Sequence, residues 1–355
     1  MRLVLLIMLL VALLTGCGSD HKATPFEQVI PPIPANTDFG ALYPRLNEAL
    51  SGPRPNVADA VEMTRAWAAE HLDQFREAAC ARTQVVFDNE FASLFGRKTL
   101  GVTLPWMQIY VRDGRRGGID EQSLWNDASL FVSTILHEYV HALQRKRQAT
   151  ETFALDGSCE AARNALTRRR GQWNSGFSIL QSSITLGQGF DESERTLLYH
   201  WVSPIERARD EVEAATLTVR WMNQFPGELN LMTVGGANNW AYGVLYLNHL
   251  KNLATSNCFS ADEQTYAEEV RIYNQQIPMF VAELAPHEPA MRAFLNQAGL
   301  PSMELNLAEY VVTPTPTGRA GHVCQQMQAN LPHFPLDHTQ HQYFLHDSSV
   351  IAGTE

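Results

Sequence analysis

Residues 137 to 141 read His-Glu-Tyr-Val-His, two imidazoles four positions apart with a carboxylate between them. On a helix, positions i and i+4 lie one above the other, so His137 and His141 aim two ring nitrogens at one point. Nitrogen donors converging in this way suit zinc, which in a reactive site takes three protein ligands and leaves a fourth position open. Glu138 borders the same face, where its carboxylate can take a proton from a water attacking beside the ion. The chemistry implied is hydrolysis, with His137 and His141 as metal ligands, Glu138 as catalytic base and Zn2+ as cofactor.

A third ligand is required, and three carboxylates in two segments compete for the place. Asp156 and Glu160 share the segment Asp156-Gly-Ser-Cys-Glu-Ala161, and Glu211 sits in Arg209-Asp-Glu-Val-Glu-Ala214. The spacing from His141 to Glu160 resembles that of HExxH-x18-E aminopeptidases. Asp156 stands where some bacterial peptidases have Glu in a Glu-Gly-x-Ala segment, and the surroundings of Glu211 are similar to the E-x-E-A segment of many HExxH proteins. Periodicity ranks the three. Ser203-Pro204-Ile205-Glu206 combines an N-cap serine, a proline at the first helical position and a glutamate at N3, which predicts a helix running to about Asn223. Its apolar stripe is Ile205, Ala208, Val212, Ala215, Val219 and Met222, and Glu211 falls roughly 70° from the stripe's centre against roughly 130° for Glu213. In the earlier segment the stripe Leu155, Cys159, Ala162 and Leu166 leaves Glu160 roughly 130° away and Asp156 about 90°. Periodicity therefore favours Glu211, with Glu160, Asp156 and Glu213 as alternatives. A partly buried pair with Arg207 is the metal-free role open to Glu211. Tyr199 and His200, just before this helix, are candidate oxyanion stabilisers, although no spacing selects them.

These residues need a frame. Asn126 or Asp127 can cap a helix that runs through the pentapeptide to the basic cluster Arg145, Lys146 and Arg147. Phe131, Val132, Ile135, Leu136, Tyr139, Val140 and Leu143 surround that helix, so it is expected in a core, where two histidines and a glutamate must be satisfied by something. Upstream, Val102 to Val111 reads as one strand, with Pro105 favouring an edge position, and Asp113 to Gly118 reads as the turn into the helix. Ala58 to about Arg82 is patterned as a helix, with Val61, Met63, Trp67, Leu72 and Phe75 as core candidates. Asn238 to Leu247, Asp262 to Ala285 and Glu288 to Ala298 are also helical, their aromatics assigned to the core. The fold class expected is α+β, a predominantly helical domain with a small sheet whose edge strand precedes the HExxH helix.

Together, an edge strand, an HExxH helix and a downstream glutamate resemble the zincin metallopeptidases of the gluzincin type over approximately residues 100 to 225. The resemblance implies that His137, His141 and Glu211 bind zinc, that Glu138 is the general base, and that an extended peptide or protein substrate pairs with the edge strand. It also marks a departure. Some relatives carry an aspartate four residues after the ligand glutamate, orienting a histidine, and here that position is Ala215.

The N-terminus bears on location. Arg2, the apolar run Leu3 to Leu14 and Leu14-Thr15-Gly16-Cys17 resemble a bacterial lipoprotein signal, with Cys17 lipidated after cleavage. The run is too short to cross a bilayer comfortably. The expected location is the cell envelope, lipid-anchored, with the outer membrane favoured because Gly18 rather than Asp follows the cysteine. Export leaves Cys80, Cys159, Cys258 and Cys324 in an oxidising compartment, an even number for which two disulfides in any of three pairings are open. A formal net charge of -11 argues against nucleic acid as a partner. The expected organisation is a signal over 1–17, a Pro-rich tether over 18–57, a metallopeptidase core over 58–230, a helical C-terminal subdomain over 231–311 and a histidine-containing tail over 312–355. A non-catalytic envelope lipoprotein, a binding or assembly factor on the same scaffold, is the alternative, and an intact Glu138 counts against it.

Overall fold

The computed structural model of the chain describes residues 42–51, 55–95, 99–114, 124–125, 127–170, 197, 204–225, 227–255, 263–297 and 304–313. The fold is α+β, mostly helical with one three-stranded sheet among the described residues. None of the described helices is long and apolar enough to cross a membrane.

The first described element, α1 (Leu42–Leu50), lies inside the stretch read as a tether, and it buries Leu42, Leu46 and Leu50. Leucines four apart make one apolar face, and that face packs on α2 (Val57–His71) and on the HExxH helix. The single helix expected from Ala58 to about Arg82 ends instead at His71, and a short 3-10 turn over Phe75–Glu77 leads into strand β1 (Arg82–Val86). Thr83-Gln-Val-Val86, β-branched at three of four positions, is strand-forming sequence that lies just past the expected helix end and had been assigned to no element. A further helix, α3 (Asp88–Phe95), follows.

The strand expected over Val102 to Val111 is two strands, β2 (Gly101–Leu104) and β3 (Gln108–Arg112), paired antiparallel with Leu104 opposite Gln108. Pro105 occupies the turn between them. The Met107 N–H donates to the Leu104 carbonyl at 3.0 Å, and Met107 takes a left-handed φ of 58°, the pattern of a three-residue hairpin loop. A proline that pre-sets φ at the second turn position reverses the chain where alternation alone reads straight through. The sheet order is β1-β3-β2, with β1 parallel to β3, so β2 is an edge.

Helix α4 (Ala128–Thr152) carries the pentapeptide. The Asp127 carboxylate caps it, accepting from the Ser129 and Leu130 N–H groups at 2.8 and 3.1 Å. It runs past Arg147, because the basic cluster is spent on other elements: Arg145 on Asp210 at 2.9 Å, Lys146 on Glu77 at 2.7 Å, and Arg147 on Glu213. Next come α5 (Cys159–Arg168) and α6 (Pro204–Met222), the latter ending within a residue of expectation; Ser203, its expected cap, lies outside the described residues.

Helix α7 (Val234–Thr255) packs against both α4 and α6, and glycine makes the approach close. A Cβ on Gly235 would lie 2.1 Å from the Ser129 carbonyl oxygen, and one on Gly243 would lie 3.3 Å from the Ala215 Cβ. Helices α8 (Glu263–Leu284), α9 (Glu288–Gln297) and the short α10 (Leu307–Tyr310) complete the described chain. One apolar core runs from Leu42 to Val312, so the helices of the expected C-terminal subdomain bury their residues with those of the pentapeptide helix. Among the described residues, three fully buried tryptophans spend their indole N–H on carbonyls: Trp125 on Arg112, Trp221 on Asp73 and Trp240 on Leu284.

Cys80 and Cys159 form a disulfide with their Cα atoms 5.8 Å apart, joining the segment before β1 to the start of α5. Cys258 and Cys324 lie outside the described residues, as do Cys17, the expected signal and the five histidines of the tail.

Candidate metal centre

Three ligand atoms meet where α4 faces α6. The His137 Nε2 stands 3.2 Å from the His141 Nε2 and 3.2 Å from a Glu211 carboxylate oxygen, and that same oxygen is 3.5 Å from the His141 Nε2. Ligand atoms about 2.1 Å from a tetrahedral ion stand about 3.4 Å from one another. The triangle therefore has the edge lengths of one face of a zinc tetrahedron, and two imidazole nitrogens with one carboxylate is a donor set that zinc accepts. Among the described residues these three side chains form the one group able to hold a metal in this way.

The helices explain the convergence. His137 and His141 are one turn apart on α4, as their spacing predicts. Glu211 sits beside Ala208, Val212 and Ala215 on the buried side of α6 and keeps 23 % of its side chain exposed. Its ion pairs are to the two histidines, and Arg207 is exposed and makes none with it. Glu213 turns away, to Arg147 and to the Gln144 amide at 3.0 Å. Asp156 and Glu160 are exposed and outside the cluster: Asp156 accepts from the Ser158 N–H at 2.8 Å, and Glu160 lines a shallow cavity of about 460 Å³ beside the Cys80–Cys159 disulfide. Tyr199 and His200 lie outside the described residues.

Glu138 is buried next to the cluster, 6 % exposed. The Thr103 hydroxyl on β2 reaches its carboxylate at 2.7 Å and its backbone carbonyl at 2.8 Å. The space for the carboxylate arm comes from Gly101, where a Cβ would stand 2.8 Å from the Glu138 Cγ and 3.1 Å from Oε1. Edge strand β2 thus borders the base directly.

Electrostatics follow from the burial. Burial pushes the Glu138 carboxyl above its ordinary value, and the nearby histidines oppose that only in part. Burial acts on Glu211 in the same sense, yet the charge and hydrogen bonds of His141 and His137 outweigh it and hold Glu211 well below the usual carboxylate range. His141 is the converse case: burial lowers it, but the Glu211 carboxylate prevails and raises it to about 9. Without a metal, Glu211 and His141 thus favour each other's charged forms.

Three neighbours escaped the sequence reading. The Tyr242 hydroxyl on α7 donates to the Glu211 carboxylate at 3.2 Å, with its ring 5.5 Å from that of His137. The Asn239 side chain, one turn earlier on α7, is 3.1 Å from the His137 Nδ1, and Gln144 on α4 is 2.8 Å from the His141 Nδ1. Gln144 carried a signal, since it stands three residues past His141 and so on the same helix face. Asn239 and Tyr242 lie within an apolar run that reads as core, and only the packing of α7 turns them to the histidines.

No protein-family model, curated protein or solved structure matches this chain.

Proposed function

We propose that the chain is a zinc-dependent metallopeptidase of the zincin, gluzincin type, which hydrolyses peptide bonds in peptides or proteins of the cell envelope. The observation that carries the reading is the His137, His141 and Glu211 triangle with Glu138 buried beside it. In this reading His137, His141 and Glu211 hold the ion. Zinc, when bound, supplies a Lewis acid that polarises the scissile carbonyl and makes water acidic enough to attack at neutral pH.

The protein's own residues do the rest. Glu138 takes the proton from the attacking water and hands it to the leaving amine. Thr103 keeps that carboxylate aimed through its hydroxyl, and Tyr242 steadies the Glu211 oxygen that it donates to. Edge strand β2 has β3 on one side, and its other side offers backbone groups to an extended substrate. Cys17 would carry the lipid that holds the chain at the envelope, outer membrane favoured, and the Cys80–Cys159 disulfide fits an oxidising compartment of that kind.

Metal analysis and proteolysis of the purified chain, beside a Glu138→Gln variant, test the reading. One zinc per chain in both proteins is expected, with hydrolysis falling at least about 100-fold in the variant. Failure to bind zinc, or hydrolysis untouched by the substitution, would sink it. Zinc bound without any hydrolysis would favour the non-catalytic binding or assembly factor.

A further inference from the structure

We infer that Gln144 and Asn239 are the positioning residues of this centre: they fix both imidazoles as Nε2 donors, and Gln144 also sets the register of the helix that delivers Glu211. The inference rests on the metal reading above, and it follows from counting protons on the two amides.

The Asn239 Nδ2 donates to the Gly235 carbonyl at 3.3 Å, so the amide oxygen faces the His137 Nδ1. The Gln144 Nε2 donates to the Asp210 carbonyl at 2.8 Å and to the Glu213 carboxylate at 3.0 Å. Both of its protons are committed, and its oxygen faces the His141 Nδ1 at 2.8 Å. An amide oxygen only accepts, so each Nδ1 must carry a hydrogen. A neutral imidazole has one such hydrogen, which leaves a lone pair on each Nε2. Those are the two nitrogens 3.2 Å apart, beside a carboxylate oxygen that also only accepts. Three acceptors at this distance repel one another unless a cation lies among them: a proton while an imidazole is charged, as the raised His141 allows, or a metal ion in the reading above.

Gln144 has a second task. Its donors grip Asp210 and Glu213, the residues on either side of Glu211 and Val212, and the Arg145–Asp210 and Arg147–Glu213 pairs lie along the same seam. A slip of α6 by one residue would turn its side chains by about 100° and take Glu211 off the histidines. One amide therefore links the proton on His141 to the placement of a ligand far along the chain. Asn239 depends on α7 coming close to α4, which Gly235 allows: its N–H donates to the Ser129 hydroxyl at 3.0 Å, where any side chain would strike the Ser129 backbone.

The test uses the full chain with Gln144→Ala, Asn239→Ala and Asn239→Asp, zinc affinity by competition with a chromophoric chelator, and 15N NMR of the ring nitrogens at a pH where both rings are neutral. Each alanine variant should bind zinc about 10- to 100-fold more weakly. Asn239→Asp, which keeps the acceptor oxygen, should recover most of the loss, and both rings should carry their proton on Nδ1 in the metal-free chain. Unchanged affinity in both alanine variants, or an Nε2 proton on either ring, overturns the inference. A wild-type chain that takes up no zinc defeats the metal reading instead, and the tautomers of the metal-free rings then decide for or against the roles of Gln144 and Asn239.

Discussion

Gly101 is the position at which the site can be damaged without touching a ligand. Its need for glycine is one of space: a Cβ there would stand 2.8 Å from the Glu138 Cγ and 3.2 Å from Cδ, against an ordinary carbon–carbon contact of about 3.5–4.0 Å. In Gly101→Ala the carboxylate arm must retreat by about 1 Å, since β2 is held by β3 and α4 is packed on all sides. A catalytic group displaced by about that much loses roughly 100-fold in rate, or about 2.7 kcal/mol of transition-state stabilisation. The three ligand atoms are not displaced, so zinc affinity should stay within about twofold. Peptide hydrolysis followed as kcat and KM, together with chelator competition, reads the two effects separately. The expected outcome is a fall confined to kcat. Thr103→Val should act in the same sense by removing the hydroxyl that aims Glu138, and Thr103→Ser should not. A Gly101→Ala chain with wild-type kcat refutes the reasoning, and so does one that loses zinc and rate together, since that would mean α4 had moved and not the base.

Three further outcomes follow from the same structure. Glu211→Gln should abolish stoichiometric zinc binding, whereas Glu160→Gln and Asp156→Asn, both exposed and outside the cluster, should leave the metal content by atomic absorption unchanged. The disulfide closes a sequence separation of 79 residues, so removing it with Cys80→Ala and Cys159→Ala should lower stability by about 4 kcal/mol in urea unfolding; a loss under about 1 kcal/mol would contradict the loop-entropy account. His249 is buried on α7, and burial pushes its imidazole from 6.5 down to about 4. Its folded pKa lies below the unfolded one, so the neutral ring favours the fold: the stability it protects is fully present above pH 6.5 and is lost as pH falls toward 4, by about 3 kcal/mol in all. His249→Leu should flatten that part of the pH–stability curve, and an identical curve would count against the assignment.

What the sequence makes legible here is what local chemistry decides. His137 and His141 converge because a helix repeats every 3.6 residues, and Asp127 caps that helix as its side chain and position predict. Glu211 and Glu213 separate by the same periodicity, one toward the histidines and one toward Arg147. The hairpin at Pro105 and strand β1 were not legible, because a short apolar run reads alike as straight strand, hairpin or helix until long-range pairing chooses.

The neighbours of the histidines illustrate a deeper limit. An aspartate four residues after Glu211 would be an orienting group that sequence can announce, and the residue at that position is Ala215. Because Ala215 is small, Gly243 can come within contact of it, and α7 lies close enough for Asn239, one turn earlier, to reach the His137 Nδ1. Orientation is thus supplied from another helix, by an amide and not a carboxylate. The small residue at 215 and the glycines of α7 are therefore one feature: enlarging Ala215 to Leu should push α7 away and release His137. Weaker zinc binding in Ala215→Leu, with Nδ1 of His137 no longer protected in the NMR spectrum, is the expected result. Retention of both would mean that Asn239 is placed by some other contact, and that the small residue at 215 is incidental to the site.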